Sequence, residues 1–106
     1  MRIIWSDFAS KSLSSIYKYY KIEAGEKVAD KLRKEIFEAT KQLIRYPQSG
    51  QIEVALQSLS QNHRYLVQGN YKIIYKPIIE GILITDIFDA RQNPSKLANN
   101  SIRNLK

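Results

Sequence analysis

The spacing of apolar residues changes once along this 106-residue chain, at Pro47-Gln48-Ser49-Gly50, from a period of about 3.6 to one of about 2. Upstream of that point the apolar groups can gather on one side only if the backbone is helical. Downstream they can do so only if it is extended. The two halves must then bury their apolar faces against each other. That constraint selects an α+β domain, with helices segregated from a mostly antiparallel sheet.

In the upstream half, Ile3, Ile4 and Trp5 suggest a short strand over residues 2–5. Ser6 offers a helix N-cap and Asp7 suits the positive end of the helix dipole. Ala9, Leu13, Ile16, Tyr17 and Tyr20 recur at steps of three and four, which predicts a first helix from about Asp7 to Ile22. Gly25 breaks the pattern. A second helix follows, with Val28, Ala29, Leu32, Ile36, Ala39 and Leu43 on one face. Lys27, Lys31, Lys34, Glu38, Lys41 and Arg45 occupy the opposite face, which should lie in water. Pro47 ends this helix, because the residue before a proline avoids helical dihedrals. The short break at Gly25 predicts an antiparallel helical hairpin.

In the downstream half, Ile52, Val54 and Leu56 alternate with other residues and suggest a short strand. Residues 64–68 and 71–76 read as a β-hairpin closed by Gly69-Asn70. Pro77 marks a strand end or an edge, and Glu80-Gly81 turns the chain again. Ile82 to Phe88 is almost wholly apolar and β-branched, as expected of an interior strand. Asn93 and Pro94 suit the start of a short helix, and residues 98–106 read as a frayed tail. The expected fold is therefore a single domain, 1–106. An N-terminal strand and a helical hairpin pack on a small sheet.

Seventeen Lys and Arg against ten Asp and Glu give a net charge of +7, which favours an acidic partner, either nucleic acid or protein. The excess is spread along the chain, with ten basic and six acidic residues in 1–46 and seven and four in 47–106. The absence of cysteine excludes disulfides and thiolate zinc sites. No apolar run approaches the roughly 20 residues of a membrane span, and the first residues do not read as a signal peptide. A cytoplasmic protein without cofactor or metal is expected.

The candidate functional residues lie in the downstream half. Arg64 opens the hairpin and Arg91 follows the last strand. If they converge, two guanidiniums could grip a carboxylate or a phosphate. The plainer role is to tie strand ends to carboxylates such as Asp89. His63 could titrate near neutrality and act as a base, or be an ordinary surface residue. Asp86 and Asp89 could supply a carboxylate base or a metal pair, against the simpler pairing of Asp89 with Arg91 or Arg64. Tyr71 and Tyr75 share one sheet face, where they could stack on bases or pack in the core. Packing between helix and sheet is expected for Tyr17, Tyr19 and Tyr20.

The order and spacing of several segments resemble the RelE/ParE superfamily of toxins from bacterial type II toxin–antitoxin modules. They are Ile4-Trp5-Ser6 with Ala9 and Leu13, Tyr46-Pro47 with Gly50, Arg64-Tyr65-Leu66-Val67, Asn70-Tyr71-Lys72-Ile73-Ile74-Tyr75 and Asp89-Ala90-Arg91-Gln92-Asn93-Pro94. The resemblance implies a small sheet backed by a helical hairpin, a cognate antitoxin assembled with it as a hetero-oligomer, and growth arrest. RelE-like members cut mRNA in the ribosome, and ParE-like members poison DNA gyrase. Arg64 and Arg91 match family arginines. In a nuclease they would act with His63 or Asp89. In an inhibitor the target-binding set would be Arg64, Tyr71, Tyr75 and Arg91. Residues 47–63 contain no Lys or Arg, where RelE-like nucleases carry lysines, and no tyrosine follows Tyr75. These departures place the chain on the ParE side. The alternatives are a RelE-like endonuclease and a non-toxic antitoxin-binding module.

Overall fold

A computed structural model describes residues 2–103. Strand β1 (Arg2–Trp5) leads into helices α1 (Asp7–Ala24) and α2 (Glu26–Arg45). Strands β2 (Gln51–Ile52), β3 (Arg64–Gln68), β4 (Tyr71–Ile78) and β5 (Gly81–Asp89) follow, and helix α3 (Ser95–Arg103) comes last. The sheet order is β1-β5-β4-β3-β2. Only the β1–β5 pair is parallel.

The helix boundaries fall where local chemistry places them. Ser6 accepts a hydrogen bond on Oγ from the Ala9 N–H (3.0 Å), while its own N–H donates to the Ile84 carbonyl (3.0 Å). One residue thus caps α1 and ties the end of β1 to β5. Gly25 takes φ 98°, a value that disfavours side chains, and separates the two helices. Tyr46, before Pro47, leaves the helical region at φ −129° and ψ 73°. The α2 face lands as expected, with Ala29, Ile36 and Leu43 fully buried. Val28 is the exception. It sits in the first turn of α2 and is exposed.

The hairpin and the interior strand also stand where the pattern put them. β5 lies between β1 and β4, and its residues Ile82, Ile84, Ile87 and Phe88 are buried. Pro77 lies inside β4 but beyond its last β3 partner, Tyr75, so the missing donor falls on an open stretch. The segment around Ile52 departs from expectation. The strand stops at Ile52, and Val54–Leu59 forms a 3-10 helix. Glu53 is the cause. Its carboxylate is buried, accepts from the Ala55 N–H (3.3 Å) and pairs with Lys72 (3.0 Å), which turns the chain out of the ladder.

Both faces of the sheet are covered. α1 and α2 close one side over Leu13, Ile36, Leu43, Tyr71, Ile73 and Tyr75. On the other, Leu56 from the 3-10 helix and Leu97 from α3 pack with Ile74 and Phe88. Asn93 caps the start of α3, its Oδ1 accepting from the Ser95 N–H (3.0 Å). The helix continues to Arg103, into the stretch expected to be a tail, whose last three residues lie outside the described residues. No helix among the described residues is long and apolar enough to cross a membrane.

Candidate functional site

The candidate residues fall into two groups. The first is at the end of β5. Asp89 closes the strand opposite Tyr71, and a tight turn follows, held by Ala90 N–H to the Asn70 carbonyl (2.8 Å). Arg91 donates its backbone N–H (2.9 Å) and Nε–H (2.9 Å) to Asp89 Oδ1, and Nη2–H (2.8 Å) to Oδ2. This fork fixes the guanidinium while leaving it 62% exposed. The Arg91 hydrogen bonds hold the Asp89 carboxyl below its usual range, and the same carboxylate raises Arg91. Tyr71 beneath them is buried and donates to the Tyr20 hydroxyl (3.5 Å). Burial above all, then that hydrogen bond, pushes the Tyr71 phenol well above its usual range.

The second group is around the start of β3. Arg64 is half-buried opposite Tyr75 and donates from Nη1 to the carbonyls of Gly50 (2.8 Å) and Gln48 (3.5 Å). The Tyr75 hydroxyl is buried and accepts from the Gly50 N–H (2.9 Å). Burial raises its phenol. Gly50 has no room for a side chain, because a Cβ there would lie 2.5 Å from Tyr75 Oη and 2.7 Å from the Tyr65 carbonyl oxygen. His63, the preceding neighbour of Arg64, is buried rather than on the surface. Its Nδ1 has no hydrogen-bond partner among the described residues. Burial, then the charge of Lys76, lowers it to about 4, so the ring is neutral at physiological pH.

A single cationic clamp is therefore not formed. Arg64 is in register with Tyr75, and Asp89 with Tyr71, four residues away along β4. At about 3.3 Å per residue that is roughly 13 Å. The antiparallel register, invisible before the strands are paired, sets Arg64 level with the middle of β4 and Asp89, which holds Arg91, level with its first residue. Tyr71 and Tyr75 do share a face, but it is the face beneath the helices, and both are only a few per cent exposed. They cannot stack on bases in this conformation. Tyr19 is exposed, against the expectation of packing, while Tyr17 donates to Asp30 (2.8 Å).

The sequence matches a family model described as the ParE toxin of type II toxin–antitoxin system, parDE, over residues 3–94. The chain belongs to the ParE toxin family. Among solved structures, a chain of the chromosomal ParDE TA system from P. aeruginosa shares the fold with a TM-score of 0.72 and 21% sequence identity. The likeness covers 86% of this chain and 97% of that one. No curated protein matches the chain.

For this ParE-family toxin the geometry bears directly on chemistry. RNA cleavage by side chains needs an acid, a base and cations around one phosphate. Here His63 lies with Arg64, and Asp89 is engaged by Arg91 at the far end. Asp86 does not face Asp89 as a pair. It is buried and accepts from Ser12 (3.4 Å) on α1 and Asn100 (3.3 Å) on α3, and burial raises its pKa. Among the described residues no group of three or more His, Cys, Asp or Glu could hold a metal ion. Glu53, whose buried carboxylate pairs with Lys72, joins the site from outside the predicted candidates. A lone Glu between Ile52 and Val54 in a presumed strand was the available signal.

Proposed function

We propose that this ParE-family toxin arrests growth by binding its target, with DNA gyrase as that target, and that a cognate antitoxin neutralises it in a cytoplasmic hetero-oligomer. The separation of the acid–base candidates carries this reading. A steric or allosteric inhibitor needs a surface, whereas a nuclease needs His63 or Asp89 beside both arginines. The family match supports the toxin role, and the net charge of +7 suits acidic protein surfaces. In this reading Arg91, exposed and oriented by Asp89, is the principal contact to the target, and Arg64 supplies a second charged position.

The test is a supercoiling assay with purified toxin and gyrase, alongside induced expression in a bacterium. Stalled supercoiling, filamentation and DNA damage signals are the expected results. Normal supercoiling with rapid, codon-phased mRNA cleavage would replace this reading with the endonuclease. Absence of any growth defect would leave an antitoxin-binding module.

A further inference from the structure

The end of the sheet that holds Arg64 contains a cleft of about 640 Å³, within the range of ligand sites. Pro47, Pro77, Ile79 and Ile82 give it apolar walls, and among the described residues Arg64 is the one cationic side chain lining it. A guanidinium carries five N–H donors in a planar fork. Nη1 is engaged by the loop carbonyls of Gln48 and Gly50. Among the described residues Nε and Nη2 have no partner and Arg64 makes no ion pair. The loop therefore orients the cation without neutralising it. The remaining edge of the fork matches the two oxygens of one carboxylate.

We propose that this cleft binds a single carboxylate of the antitoxin, carried on a segment whose neighbouring apolar side chain packs on the walls. The inference rests on the toxin–antitoxin reading above. Charge complementarity selects the ligand. The open edge of one guanidinium engages one carboxylate, and the exposed Glu80 that also lines the cleft opposes any further negative charge, so a phosphodiester chain, charged at every unit, is disfavoured more than a single carboxylate. The walls favour an apolar neighbour over a sugar or a nucleotide. Ile79, fully exposed at the β4–β5 turn, stands where such a segment would cover it.

The experiment uses the full chain and the antitoxin encoded beside its gene, with affinity measured by calorimetry. Arg64→Gln is expected to weaken binding about tenfold to a hundredfold, as for loss of a charge-assisted hydrogen bond. Replacing one particular antitoxin Asp or Glu by its amide should weaken binding by a similar factor. The double variant should lose no more than either single one, which identifies the partner. Ile79→Lys and Ile79→Glu touch no core residue and serve if Arg64→Gln does not fold. Both lose the apolar cover, and Ile79→Glu should weaken binding about two- to fivefold more than Ile79→Lys, because only the Glu sets a like charge beside the bound carboxylate. Unchanged affinity in Arg64→Gln, or equal effects of the two Ile79 variants, would overturn the carboxylate site while the antitoxin still bound. Failure of the wild-type chain to bind the antitoxin at all would overturn the toxin–antitoxin reading itself, and the inference with it.

Discussion

Arg64 and Arg91 are both fixed, but by opposite means. Arg91 is held by a carboxylate on an exposed turn, so its orientation is set and much of its charge is compensated. Arg64 is held by backbone carbonyls in a half-buried cleft, so its orientation is set and its charge is not. The surroundings differ in the same sense. The Arg64 end couples a glycine, a buried tyrosine and a buried histidine, so damage there should register as lost stability. The Arg91 end is a surface device, so damage there should register in function and leave the fold unmoved.

The sharpest way to break this contrast is Gly50→Ala. The added Cβ would press on the Tyr75 hydroxyl and the Tyr65 carbonyl, and the backbone oxygen cannot swing aside. A loss of about 3 kcal/mol or more is expected, roughly 10–20 °C in Tm. A thermal melt within a few degrees of wild type would show that the 48–50 loop yields freely and that Arg64 is not rigidly held. Tyr75→Phe probes the same contact more gently. It strands the buried Gly50 N–H and should cost about 1–3 kcal/mol.

His63 gives the Arg64 end a pH signature. Its folded pKa of about 4 lies below the ordinary value of about 6.5. A histidine that folding keeps neutral contributes no penalty above pH 6.5. As pH falls from 6.5, the unfolded chain takes up the proton first, and stability drops by about 3 kcal/mol by pH 4. His63→Gln should remove this component from a series of denaturant titrations between pH 7 and 4. An unchanged slope in the variant would assign the acid sensitivity elsewhere. Asp86 works in the opposite direction, since burial raises its pKa. Its penalty is absent in acid and grows as pH rises through the carboxylate range, so Asp86→Asn should gain stability near neutrality.

The elements of this molecule were legible in the sequence because they depend on neighbours three or four residues apart. Ser6, Gly25, Tyr46-Pro47 and Gly69-Asn70 each act on the chain beside them. The pairing of Asp89 with Arg91 was visible for the same reason, two residues separating them. The site was less legible because it depends on register. Nothing in the spacing of Arg64 and Arg91 discloses that β4 sets Arg64 four residues from Asp89, the residue that holds Arg91. The 3-10 helix starts beside Glu53, whose carboxylate pairs with Lys72 across 19 residues and whose N–H donates to the His63 carbonyl, contacts too distant for spacing to disclose. The short helix begun at Asn93 and Pro94 was legible, but its role as cover for the second sheet face was not, because Leu97 meets Leu56, Ile74 and Phe88 only after the strands are paired.

A side-by-side comparison of Arg64→Gln and Arg91→Ala separates the two kinds of fixation. Arg64→Gln gives up bonds to the Gln48 and Gly50 carbonyls and should lower stability by about 1–2 kcal/mol. Arg91→Ala should leave Tm where it was and still reduce toxicity in an induced-expression assay. Equal loss of stability in both variants would erase the distinction between a structural and a displayed arginine. Undiminished toxicity of Arg91→Ala would remove that residue from the target-binding surface.

The smallest effect belongs to Asp89→Asn, and it asks whether Arg91 matters as a charge or as an oriented fork. The amide oxygen can still accept from the Arg91 backbone N–H and Nε–H, but the amide NH2 cannot accept from Nη2–H as the second carboxylate oxygen does. Exposed pairs of this kind add little to stability, so thermal melts should superimpose. The net charge at the turn rises by one, which strengthens attraction to an acidic target, while the fixed geometry is lost. If orientation governs binding, toxicity falls, though by less than in Arg91→Ala. If charge alone governs it, toxicity is retained or increased, and dose–response curves of the two variants diverge in opposite directions from wild type. Either result bears on the Arg64 end as well, because there the carbonyls provide orientation without neutralisation, the combination that Asp89 denies to Arg91.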